Sequence, residues 1–324
     1  MARRRSSGAG RGGLWLFLLG VIVGGGVLYL IFRDPRYGPG EGPAPEARVA
    51  AVDEEKPGAA PAAQKAAVSE YADAPDQMPS VPADAPDTEP VQDGESHLPG
   101  HVALVIDDLG ARMEDLTPLI GLGVPVTYAV LPYEEHTPAV VAALRKRRAE
   151  MLLHLPMQPM NNEDPGPGAL RVDMDSDALR EGTEAALRAV PGAVGVNNHM
   201  GSRMSEDEGA MTTVLQVLAE RGLFFLDSRT SAASLGYRTA RSLGLPAAER
   251  HVFLDRDPNP EAIREQFRRL LDLSRTRGAA VAIGHPLPET LRVLTEEVPK
   301  AKAEGFEFVP ISYMLDRTDD AADE

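Results

Sequence analysis

The segment His101-Val-Ala-Leu-Val-Ile-Asp-Asp-Leu-Gly110 places the tightest constraint on what this chain can fold into. Val102 to Ile106 is an unbroken apolar run in which Val102, Val105 and Ile106 are β-branched. That is the composition of a strand buried on both faces, as in the parallel sheet of an α/β domain. The run stops at two adjacent acids, Asp107 and Asp108, followed by Leu109 and by Gly110, a residue that permits a turn. In α/β sheets and β/α barrels, ligands bind at the carboxyl ends of the strands. Two carboxylates placed there repel each other unless a cation or a shared proton relieves them. The plainer alternative is that one acid caps the next helix while the other is solvated.

From His101 onward, strand-like and helix-like segments alternate, the pattern of a parallel sheet wrapped by helices. After the first strand come strand candidates at Val126–Leu131, Met151–Leu155, Ala193–Val196, Leu223–Leu226, Val252–Leu254, Ala279–Ile283 and Phe306–Ile311. Between them lie helix candidates, of which Glu206–Arg221, Pro260–Arg277 and Pro288–Ala303 are the longest. Asn161 to Asp175 is a polar loop marked by Gly and Pro, long enough to form a lid or rim. Five strands stop at groups capable of chemistry: Asp107 and Asp108, His154, His199 in Asn197-Asn198-His199, Asp227 with Arg229, and His285. A parallel sheet would carry all of them to one rim. His and Asp together form a ligand set suited to Zn²⁺, Co²⁺, Mn²⁺ or Fe²⁺. Each has a plainer reading: a hydrogen-bonded core histidine for His154, a turn for Asn197–Ser202, a helix cap for Asp227. His285, between Gly and Pro, is expected in a constrained, exposed turn. His97, His101, His136 and His251 are assigned no role.

Composition divides the chain further. Four arginines and no acid precede an uncharged run of 21 residues, Gly12 to Phe32. At roughly 1.5 Å per residue this run is long enough to cross a bilayer core of about 30 Å. Residues 1–11 are therefore expected in the cytoplasm, 12–32 as an anchor in the inner membrane, and the remainder on the periplasmic or extracytoplasmic side. A cleaved signal peptide is the alternative, though the run exceeds a usual apolar core and no Ala-x-Ala site follows it. Residues 33–99, rich in Pro, Ala and acids, read as a disordered linker that cannot bury enough surface to order itself. Residues 100–317 form the folded domain and 318–324 an acidic tail. The net charge of −16 argues against nucleic acid as a partner. The absence of cysteine excludes disulfides and thiolate metal ligands.

Asp107-Asp108-Leu-Gly, His154-Leu-Pro-Met-Gln-Pro, Asn197-Asn-His-Met-Gly-Ser, Leu226-Asp-Ser-Arg-Thr and Gly284-His-Pro-Leu-Pro-Glu-Thr resemble, in order, the motifs of the divergent polysaccharide deacetylase family, itself similar to the NodB-type carbohydrate esterases. The resemblance covers about Gly100 to Arg317. It implies a distorted (β/α) barrel of seven or so parallel strands and metal-dependent removal of acetyl groups from an N-acetylated envelope glycan or peptidoglycan. It implies Asp107 as general base, His285 as general acid, and Asp108 as metal ligand beside histidines. NodB-like enzymes take both metal-binding histidines from one helical motif with three residues between them. Here Gln158 stands four residues after His154, so His199 is the replacement. Asp227, Arg229, Ser202 and Asn198 are candidates for substrate binding or for supporting the site, Asp227 by orienting His285 or Arg229, and Arg229 by holding Asp107 ionised. The missing spacing also admits a second reading, a catalytically inactive envelope protein that uses the same rim to bind glycan or a protein partner.

Overall fold

A computed structural model describes residues 100–315. The expected anchor at 12–32, the linker at 33–99 and the tail at 318–324 lie outside the described residues. Among the described residues, no helix is long and apolar enough to cross a membrane.

The strands are β1 (His101–Leu109), β2 (Thr127–Val130), β3 (Met151–Met157), β4 (Gly195–Met200), β5 (Phe224–Asp227), β6 (Ala247–Glu249), β7 (Val252–Phe253), β8 (Ala279–Gly284) and β9 (Glu307–Phe308). The helices are α1 (Leu116–Gly121), α2 (Thr137–Arg147), α3 (Ser176–Ala189), α4 (Glu208–Glu220), α5 (Gly236–Ser242), α6 (Pro260–Arg277), α7 (Pro288–Ala303) and α8 (Ser312–Leu315). One nine-stranded sheet runs in the order β6-β5-β4-β3-β2-β1-β8-β7, with β9 beside the start of β1. Every pairing is parallel.

β6 and β7 stand at opposite ends of this order, yet only Arg250 and His251 separate them. Such a link spans at most about 10 Å. The Arg250 N–H donates to the Asp227 carbonyl of β5, and the next N–H, of His251, donates to the Val281 carbonyl of β8. The sheet must therefore curl until its two ends meet across this link. The expected barrel is thus left incomplete, because β6 and β7 do not pair with each other.

Two apolar layers follow from strand alternation. Val102, Leu104 and Ile106 face outward among Leu144, Leu215 and Phe267. Ala103 and Val105 face the inside of the curl with Leu152, Leu226, Val281 and Ile283. Continuing the inner sequence by twos leads from Val105 to Asp107, from Leu152 to His154 and from Ile283 to His285. The interior thus turns from apolar to polar at the carboxyl rim.

Candidate metal centre and active site

Alternation alone would send Asp108 to the outer layer. A register shift in β1 between Ile106 and Leu109 prevents this. Asp108 sits there with φ 57°, in the left-handed region that a non-glycine residue seldom occupies. The bulge lets two consecutive carboxylates stay fully buried at one place. Strain of this sort persists only where the surroundings enforce it, and it gathers at functional sites.

The histidines come from neighbouring strands. The register of β3 and β4 sets His154 opposite Asn197 and Pro156 opposite His199. Two adjacent strands therefore bring the two histidines side by side. His154 Nε2 lies 3.2 Å from Asp108 Oδ1, His199 Nδ1 lies 2.9 Å from the same oxygen, and the two ring nitrogens are 3.1 Å apart. The ligand atoms of Asp108, His154 and His199 all lie within 4.8 Å of one another. Asp107 Oδ2 and Asp108 Oδ2 are buried without a hydrogen-bond partner. Two imidazole nitrogens and a carboxylate oxygen crowded so closely call for protons or a cation between them. With one carboxylate and two imidazoles, the donor set fits a divalent ion of the zinc type.

His285 closes the group from β8, with Nε2 3.9 Å from Asp108 Oδ2. It is fully buried, not exposed as the Gly-His-Pro turn led us to expect. Its partner is Asp255, which the sequence analysis left without a role. Asp255 Oδ1 meets His285 Nδ1 at 2.9 Å, and Oδ2 accepts the His285 N–H at 2.6 Å and the Thr290 hydroxyl at 2.7 Å. A ring contact with Phe253, centroids 5.4 Å apart, flanks His285.

Electrostatics drive the two acids apart. Burial raises the Asp107 carboxyl, and the nearby His154 and His285 only partly offset it. Burial acts on Asp108 too, but His199 and His154 outweigh it and hold that carboxyl well below its usual range. Burial would lower His154, yet Asp107 and Asp108 raise it. Burial likewise opposes the charged His285, while Asp255 above all, then Asp108 and Asp107, raises it to about 9. A raised acid beside a lowered one is the arrangement by which environment assigns different roles to like groups.

Other expected residues lie at the same rim but bond elsewhere. Asn198 alternates away from the cluster: its carbonyl oxygen accepts the Ser228 N–H at 2.9 Å and its amide donates to the Met200 carbonyl at 2.7 Å. Asp227 follows inward-facing Leu226 and so faces outward, where it accepts the Ser234 hydroxyl and the Arg229 and Tyr237 N–H groups. It organises the turn into α5 and does not orient His285. Arg229 reaches Glu249 at 3.4 Å instead of Asp107. Ser202 Oγ accepts the Met160 N–H at 2.8 Å, tying the long loop to the end of β4. Gln158, where a second histidine would stand in the helical pattern, accepts the Val172 N–H through its side chain and braces that loop. Asn197 is expected only as part of a turn. It lies in β4 and touches both His154 and Asp107, at 3.0 and 2.9 Å.

The fold is thus a curled parallel α/β sheet with paired aspartates and histidines converging at one rim. A family model described as divergent polysaccharide deacetylase matches residues 104–315, and the chain belongs to that family. Over 201 residues it is 39% identical to the uncharacterized protein YibQ of Escherichia coli (strain K12), covering 62% of this chain and 63% of that one. Less than two thirds of that relative's length is therefore matched. An uncharacterized protein of Haemophilus influenzae is 33% identical over 193 residues, covering 60% of this chain and 69% of that one. Among solved structures, the uncharacterized protein ATU2773 from Agrobacterium tumefaciens C58 shares the fold, with a TM-score of 0.64 at 22% identity, over 77% of this chain and 95% of that one.

Proposed function

We propose that this protein is a metal-dependent hydrolase that removes acetyl groups from an N-acetylated envelope polysaccharide or peptidoglycan. In this reading residues 12–32 anchor it in the inner membrane and the domain faces the periplasm. The observation that carries the reading is that buried Asp107 and His285 both border the Asp108–His154–His199 cluster, Asp107 3.6 Å from His154 and His285 3.9 Å from Asp108. A module that only binds glycan has no need of a buried acid–base pair. Membership of the divergent polysaccharide deacetylase family supports the same substrate class.

The residues divide the work as follows. Asp108, His154 and His199 would hold the ion, Zn²⁺ by donor type with Co²⁺, Mn²⁺ and Fe²⁺ also compatible. When bound, it would supply Lewis-acid polarisation of the acetyl carbonyl and of water. Asp107 keeps one oxygen on Asn197 and turns Oδ2 to the cluster, where it would accept the proton of the attacking water. A base with a raised pKa is suited to that step and then holds the proton it has taken. His285, with Nδ1 held by Asp255, would deliver a proton from Nε2 to the departing nitrogen. The products are acetate and a free amine.

The test is acetate release by the full-length protein, loaded with Zn²⁺ or Co²⁺, from N-acetylglucosamine oligomers and peptidoglycan fragments. Wild type should release acetate and Asp107→Asn should reduce the rate by roughly 10²–10⁴-fold. No release from either substrate class, together with retained glycan binding, would favour the inactive, glycan-binding reading.

A further inference from the structure

We infer that Asn197 is a positioning residue with two tasks: it fixes the tautomer in which His154 turns a lone pair toward the ion site, and it leaves Asp107 a single oxygen for proton transfer. The inference rests on the function proposed above and extends it to a residue outside the expected ligand and acid–base sets.

The side-chain amide of Asn197 has one donating end, Nδ2, and one accepting end, Oδ1. The amide nitrogen Nδ2 of Asn197 meets Asp107 Oδ1 at 2.9 Å and also reaches Ser228 Oγ at 3.3 Å. With Nδ2 committed there, the carbonyl oxygen Oδ1 is the atom that faces His154 Nδ1, at 3.0 Å. That oxygen only accepts, so His154 must carry a proton on Nδ1. In the neutral ring the lone pair then lies on Nε2, the nitrogen 3.2 Å from Asp108 Oδ1 and 3.1 Å from His199 Nδ1. One amide thus decides which nitrogen of His154 can ligate, which is how residues behind a metal-binding histidine commonly act. By occupying Asp107 Oδ1, the same amide leaves Oδ2 as the oxygen turned toward the cluster, 3.6 Å from His154 Nε2.

The backbone makes this arrangement rigid. Asn197 stands opposite His154 in the β3–β4 register, and Asn197, His154 and Asp107 are all fully buried. His199, two residues further on, shares its face of β4. The Asn-x-His pairing on one strand beside a histidine on the next is therefore the unit that takes over from a helical His-x-x-x-His.

Two substitutions separate the tasks. Asn197→Leu removes both the acceptor and the donor at nearly constant volume. Asn197→Asp keeps an acceptor for His154 but turns an acceptor instead of a donor toward Asp107. Metal-stripped full-length protein is titrated with Co²⁺, reading visible absorption and affinity, with circular dichroism to verify folding and acetate release measured alongside. Asn197→Leu should lose roughly 10–100-fold in Co²⁺ affinity with an altered spectrum. Asn197→Asp should hold Co²⁺ within about threefold of wild type while its acetate release falls by roughly tenfold or more, the smaller end of what loss of a well-placed base costs. A folded Asn197→Leu with wild-type affinity and spectrum would overturn the inference. If that variant fails to fold, Asn197→Asp decides alone, and a loss of affinity beyond about tenfold contradicts it. Co²⁺ binding is read without turnover, so a wild type that binds Co²⁺ but releases no acetate sinks the deacetylase reading while the tautomer claim is still decided by the affinities.

Discussion

Adding Zn²⁺ to the metal-stripped protein should raise its melting temperature by about 5–10 °C, because a bound cation relieves buried carboxylate oxygens. Asp107 Oδ2 and Asp108 Oδ2 are buried and lack hydrogen-bond partners. A buried polar atom left without a partner costs on the order of 1–3 kcal/mol. The metal-free fold therefore carries a penalty of about 2–6 kcal/mol at this one place. A cation seated among Asp108, His154 and His199 removes it. At free ion near 100 times the dissociation constant, linkage contributes about 2.7 kcal/mol. In a domain of this size each kcal/mol moves the midpoint by roughly 2–4 °C, which gives the stated range. The assay is thermal unfolding of the full-length protein by circular dichroism, with and without Zn²⁺, for wild type, Asp108→Asn and His199→Ala. Both variants should lose the shift. A wild type that does not respond to Zn²⁺, Co²⁺, Mn²⁺ or Fe²⁺, or an Asp108→Asn variant that responds equally, would refute the reasoning.

Asp255 touches His285 and Thr290 but none of the three proposed ligands, so Asp255→Asn should cut acetate release by roughly 10²-fold while metal content stays at the wild-type level. Equal loss of metal and activity, measured by elemental analysis beside the rate, would show that the residue serves the fold of the whole site instead. At the far end of the strands, His251 Nδ1 accepts the Val281 N–H at 3.0 Å, and burial, then Arg277 and Arg250, lowers its pKa to about 4 from an ordinary 6.5. The folded state thus binds fewer protons than the unfolded one between those values. Stability from this group is complete above about pH 6.5 and is lost as pH falls toward 4, by up to about 3 kcal/mol. Urea unfolding of metal-free wild type and His251→Asn at pH 7 and pH 4.5 should show the smaller acid loss in the variant. Identical losses would contradict this assignment.

Much of the site was legible because buried strands announce themselves. The runs Val102–Ile106 and Ala279–Ile283 are apolar on both faces, and parallel pairing carries their ends to one rim. The misassigned residues at the strand ends share one cause: which way each side chain points follows strand parity, not mere nearness to an end. β4 was expected to stop at Val196, since Asn197, Asn198 and His199 are polar; they remain in the strand because each is satisfied by a neighbour. Counting by twos from His199 would have chosen Asn197 over Asn198. The same count places Asp255 inside after Phe253 and turns Asp227 outward after Leu226. Asp108 defeats the count, because its bulge is a register event between strands that no single-strand pattern reveals. β6 escaped notice for a different reason: Ala247-Ala-Glu249 is short and has little β propensity.

The central claim is that three strands converge to grip one ion. Anomalous diffraction from crystals grown with Zn²⁺ tests it most directly. The account predicts one strong peak within about 2.0–2.2 Å of an Asp108 carboxylate oxygen, His154 Nε2 and His199 Nδ1. A peak elsewhere in the domain, or none at these three atoms, would contradict it.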